Sequence, residues 1–67
     1  MAAYCMAELR KQKNITQLEL ANALGVSKGA VGMWEVGKRT PSLSMAKLIS
    51  QYFGVAVEEI EFGKRNE

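Results

Sequence analysis

Residues 16–39 read TQLELANALGVSKGAVGMWEVGKR, and the fold turns on how that run divides. Thr16 stands three places before Glu19. That is the spacing of a capping box, in which hydroxyl and carboxylate each satisfy a free N–H at a helix start. Leu20, Ala21 and Leu24 follow at helical spacing, and Gly25 supplies the left-handed residue that closes many helices. Gly25, Val26 and Ser27 then form a tight connection. Ser27 caps a second helix over about 28–36, which Gly37 stops. Val31 and Trp34 give this helix its inward face. Gly29 and Gly32 fall on the other side, where each costs about 1 kcal/mol relative to alanine.

Working outward, Met6 and Leu9 mark a first helix over about 3–13, with Lys11 and Lys13 outside and Asn14 as its stop. Ile15 turns inward. Pro41 fixes the backbone after the loop 36–41, and Ser42 caps a fourth helix over about 43–53. Met45, Leu48, Ile49, Tyr52 and Phe53 give that helix a broad apolar face, extended by Leu43 and Ala46, and Gly54 closes it. A fifth, short helix is expected over about 57–62, with Val57 and Ile60 inward; Ala56 is a poor cap for it. Residues 63–67 read as a polar, frayed tail. No alternating apolar run bounded by turns suggests a strand. The expectation is one domain over 1–67, an all-α compact bundle of five short helices.

Composition removes several functions. The chain has 67 residues, 48% of them hydrophobic and 24% charged, enough for one folded domain. It has no histidine and a single cysteine, so neither the commonest general base nor a usual zinc site is available. Cys5 has no partner for an internal disulfide and is expected as a buried or half-buried thiol in the first helix of a cytoplasmic protein. No apolar run reaches the roughly 18 residues of a membrane span. No phosphate-binding glycine pattern occurs. An enzyme is therefore not expected, nor a metal, a cofactor or a small-molecule ligand. Nine Lys+Arg against seven Asp+Glu leave a net charge of +2, so placement of charge matters more than its sum.

A capped helix, a three-residue turn and a second short helix form a helix-turn-helix, with Ala21 small where the helices cross. Such a second helix stands proud of its domain and fits the major groove of DNA. The set T-Q-x-E-L-A-x-x-L-G-V-S followed by W-E-x-G-x-R-x-P-S resembles the phage repressor and Cro-type helix-turn-helix proteins, the XRE family. The resemblance runs from about Met6 to Phe62. It implies a lambda-repressor-like five-helix domain that binds double-stranded DNA, usually as a two-fold homodimer on an operator.

The resemblance also implies roles for residues. Gln17, at the first turn of the scaffold helix, matches a glutamine that contacts a DNA phosphate. Lys38, Arg39 and Thr40 match a loop along the phosphate backbone, with Ser42 as a further contact. Arg10 and Glu35 match a structural pair bridging the first and third helices. Base edges would meet Ser27, Lys28, Gly29, Gly32 and Met33. Here the chain departs from the family pattern: Lys28 is its one strong donor, suited to guanine, while Met33 offers only apolar contact, for instance with a thymine methyl group. The helical wheel exposes Leu18 and Phe62, and Phe62 is the better candidate for a dimer contact. The leading reading is a small transcriptional repressor acting as a homodimer. The alternative is an interaction module of antitoxin or antirepressor type, favoured by two glycines where base-reading side chains would stand.

Overall fold

A computed structural model describes residues 4–62. Its elements run β1 (Tyr4–Cys5), α1 (Met6–Gln12), α2 (Gln17–Leu24), α3 (Lys28–Val36), α4 (Leu43–Phe53), a 3-10 turn (Val57–Glu59) and β2 (Ile60–Glu61). The expected frayed tail, 63–67, and the first residue of the expected first helix lie outside the described residues.

Each helix start has a visible cause. Thr16 and Glu19 exchange both capping bonds: Thr16 N donates to Glu19 Oε1 at 2.8 Å, and Glu19 N donates to Thr16 Oγ1 at 3.1 Å. Ser27 Oγ accepts from Ala30 N at 3.1 Å, and Ser42 Oγ accepts from Met45 N at 3.2 Å. Gly25 ends α2 at φ +75°, a conformation that residues with a Cβ enter only at a cost. That left-handed residue redirects the chain so that α3 crosses α2 and packs on it.

Among the described residues, nine buried apolar side chains form the core: Met6, Leu9, Leu20, Ala21, Val31, Trp34, Ala46, Ile49 and Ile60. Every helix contributes to it, and Ile60 closes it from the C-terminal side. Ala21 and Val31 have no exposed surface, which lets α2 and α3 approach closely at their crossing.

Several expectations need correction. The described residues hold four α-helices, not five. Where a fifth was expected, the chain makes one 3-10 turn and then a strand. Ala56 brings no capping hydroxyl. Glu59 instead folds back to accept from Ala56 N at 3.0 Å, which tightens a single turn. Beyond it, Ile60, Glu61 and Phe62 alternate inward, outward and inward, the period of a strand. The strand exists because it finds a partner. Tyr4 pairs with Ile60 and Cys5 with Glu61 in a parallel two-stranded sheet that joins the two ends of the domain.

The first helix accordingly starts at Met6 rather than near residue 3, and Cys5 is a half-buried strand residue, not a helical one. Glu8 accepts from Cys5 N at 3.1 Å and fixes that start. Phe62 is not exposed: it is half-buried and packs against the core. Conversely, the apolar face of α4 is narrower than expected. Leu43, Leu48 and Tyr52 are exposed, because α4 turns only its Ala46–Ile49 side to the core, with Met45 and Phe53 half-buried beside it.

Candidate nucleic-acid interface

The exposed side of α3 carries Ser27, Lys28, Gly29 and Met33. Ser27 Oγ already accepts the cap bond from Ala30 N, so what it can offer outward is its O–H donor. Lys28 is exposed and borders an open cavity of about 690 Å³ that it shares with Lys11, Asn14, Thr16 and Gln17 at the start of α2. Gly29 faces open space. A Cβ built on it would meet only Ser27 Oγ, at 3.9 Å, so neither packing nor backbone angle demands a glycine there.

Gly32 differs from the outward position expected of it. It is half-buried, and a Cβ there would lie 3.8 Å from Gln17 Nε2 and 3.9 Å from Gln17 Oε1. The Gln17 amide therefore lies across α3 at Gly32. Met33, one position on, is exposed.

After α3 the chain is held by its own backbone. Gly37 is left-handed at φ +81°, and the N–H groups of Lys38 and Arg39 both point to the Met33 carbonyl, at 3.0 and 3.3 Å. This pins the loop, so Lys38, Arg39 and Thr40 stand exposed at the C-terminal end of α3. Ser42 is exposed too, with its oxygen engaged in capping α4.

Arg10 and Glu35 form an ion pair between α1 and α3. Arg10 Nε meets Glu35 Oε2 at 2.7 Å, and Nη2 donates to Oε1 at 3.3 Å. Arg10 Nη1 also donates to the Ile15 carbonyl at 3.0 Å, tying in the α1–α2 connection. The side chains are 14% and 7% exposed, so the pair is largely out of water. The hydrogen bond that Arg10 donates to Glu35 raises the Arg10 pKa, burial opposes that shift, and Coulombic attraction to Glu35 adds to it. Glu35 takes a third bond, from Gln17 Nε2 at 3.0 Å.

Two features escaped the sequence. Lys11 read as a solvated residue of the first helix, yet it borders the same cavity as Gln17 and Lys28. The Gln17–Glu35 bond had no sequence signal, since it joins residues on different helices whose crossing sets the distance. No helix of the described residues is long and apolar enough to cross a membrane, and no cluster of metal-ligating side chains occurs among them.

Comparison with known proteins agrees with this architecture. The Helix-turn-helix family profile matches residues 6–60. The HTH-type transcriptional activator BcrR of Enterococcus faecalis is 41% identical over 59 residues, which are 88% of this chain and 29% of that protein. An HTH-type transcriptional regulator of Methanocaldococcus jannaschii is 45% identical over 51 residues, 76% of this chain and 77% of its own length. The cryptic phage CTXphi transcriptional repressor RstR of Vibrio cholerae is 30% identical over 53 residues, 79% of this chain and 48% of that protein. The chain thus spans less than a third of the activator and about half of the phage repressor. No solved structure matches significantly. With a capped α2, a left-handed Gly25 and a short α3 crossing it, and with regulators rather than enzymes as its relatives, the chain belongs to the helix-turn-helix family of the phage repressor and Cro type.

Proposed function

We propose that this chain binds double-stranded DNA as a homodimer, seats α3 in the major groove and represses transcription by occluding a promoter. One observation carries the reading: the exposed face of α3 is bracketed by cations at both ends, Lys28 and Lys11 at its start and Lys38 and Arg39 at its finish. A helix in the major groove lies between two phosphate backbones, and this charge placement suits both. Gln17, Thr40 and Ser42 add neutral phosphate contacts. Lys28 and Met33 are the side chains with the reach to read base edges, and Gly29 leaves the helix backbone bare for close approach. Direct readout is then modest, and phosphate contacts and DNA shape carry much of the binding. A two-fold dimer doubles the contacts and matches a palindromic operator.

Relatives bear names of both signs, an activator and a repressor, so repression is the part of this reading that a promoter-fusion assay decides. Binding itself is tested by mobility shift on a random duplex pool over a salt series. With Lys28 on a base edge, the three other cations per copy (Lys11, Lys38 and Arg39) give a dimer about six phosphate neutralisations and a log–log salt slope of about −5. Affinity should fall roughly a thousandfold between about 50 and 200 mM salt. Absence of any shift at about 50 mM overturns the reading.

A further inference from the structure

Leu48 and Tyr52 stand one turn apart on α4 and are 48% and 37% exposed. They face the last turn of α2 across an open groove of about 300 Å³, lined by Ala23, Leu24, Leu48, Gln51 and Tyr52. Leu24 is half-buried against the core, and the small Ala23 leaves the space between the helices open. Tyr52 is held from two sides. Lys13 Nζ lies 5.3 Å from its ring centroid, and the Phe53 ring meets it edge-on with centroids 5.1 Å apart. A ring fixed in advance costs less to order when a partner arrives.

The free charges around the groove have one sign. Lys13 stands over Tyr52, and the exposed Lys47 stands one turn before Gln51 on α4. Neither has a carboxylate partner among the described residues. Helix α4 carries no acidic residue. The one carboxylate of α2, Glu19, is a turn before Ala23 and is engaged with the Thr16 N–H at 2.8 Å.

We propose that this groove docks an acidic amphipathic helix of another protein, its apolar side chains between α2 and α4 and its carboxylates on Lys13 and Lys47. A helix laid in a groove offers anchors at i and i+3 or i+4, which suits the one-turn spacing of Leu48 and Tyr52. A second copy fits poorly: a two-fold contact sets a patch against itself and would bring like-charged lysines of both copies together. A flat bilayer fits poorly too, because these side chains line a concavity rather than protrude. The groove shares no residue with the candidate DNA interface, so partner and DNA need not compete, and the inference stands apart from the DNA reading.

The test is a display selection of random peptides on a helical scaffold against the full chain, with binding of the enriched peptides measured by fluorescence anisotropy. They should carry leucine or aromatic anchors one turn apart, flanked by Asp and Glu. On binding they should shift the amide resonances of Ala23, Leu24, Leu48, Gln51 and Tyr52. Leu48→Gln should weaken them about tenfold, the weight of part of one buried leucine, and leave duplex affinity unchanged. Lys13→Glu with Lys47→Glu should weaken them by roughly the same factor. A peptide with Lys in place of each acidic residue should regain affinity for that double reversal, a rescue that mere damage to the fold would not give. Thermal melts check that these surface substitutions leave the domain folded. No enrichment, enriched peptides without acidic residues, shifts that fall elsewhere, or no rescue each overturn the inference. So does Leu48-dependent self-association in sedimentation velocity, which makes the occupant a second copy, and so does Leu48-dependent binding to phosphatidylserine vesicles, which makes it a membrane.

Discussion

Removing Glu35 should damage this domain far more than removing an ordinary helix carboxylate. Glu35 accepts three N–H bonds, two from Arg10 and one from Gln17. In Glu35→Ala the Arg10 guanidinium, 14% exposed, keeps only the Ile15 carbonyl. An exposed pair contributes about 0.5 kcal/mol, whereas an uncompensated buried charge costs about 3–5 kcal/mol. The residual exposure here argues for the low end, about 3 kcal/mol. A domain of this size has a total stability of roughly 3–10 kcal/mol, so the variant should be marginally folded at best. Each kcal/mol moves Tm by roughly 4–8 °C in so small a domain, which puts the loss at roughly 12–24 °C. Arg10→Ala should cost slightly less, because Gln17 still donates to the carboxylate. Urea melts of both single variants and the double variant form the cycle, with Glu35→Gln as a milder substitute if the alanine variant does not fold. The double variant should fall short of the summed losses by at least about 1.5 kcal/mol. Additivity within about 0.5 kcal/mol would refute the reasoning, since independent sites behave that way.

Gly29→Ala should stabilise the domain by roughly 0.5–1 kcal/mol, since its Cβ meets only Ser27 Oγ at 3.9 Å; weaker operator binding by the same variant would show that the bare backbone is used for close approach. Lys38→Ala and Arg39→Ala should leave Tm nearly unchanged and each reduce the steepness of the salt slope by about one per copy, measured by fluorescence anisotropy at several salt concentrations. Thr16→Ala should cost about 1 kcal/mol in chemical denaturation, because it breaks one half of the α2 capping box and leaves Glu19 N without its acceptor.

The middle of this chain was legible because its signals are local. Thr16 with Glu19, Gly25, Ser27, Gly37, Ser42 and Gly54 each act within a few residues, and the helices between them begin and end where those residues dictate. The ends were not legible. β1 and β2 are two residues each, too short to show a period, and each exists only because the other lies beside it. The segment Val57–Glu59 has helical-looking spacing, but without a capping side chain on Ala56 it makes one turn and yields to the strand. Exposure on α4 failed for a related reason: Leu48 and Tyr52 read as core from their spacing, and only the arrangement of neighbouring helices leaves them outside. At the candidate interface, residue identity marked Lys28, Lys38 and Arg39. It could not show that Gln17 crosses Gly32 to reach Glu35, which depends on how α2 and α3 cross.

Binding-site selection from a random duplex library, read by sequencing, tests the central claim most directly. The account predicts enrichment of a two-fold site whose half-sites lie one helical turn, about 34 Å, apart or a multiple of it, with few strongly specified bases per half. No enrichment over successive rounds at about 50 mM salt, from protein shown to be folded by its thermal melt, would contradict it.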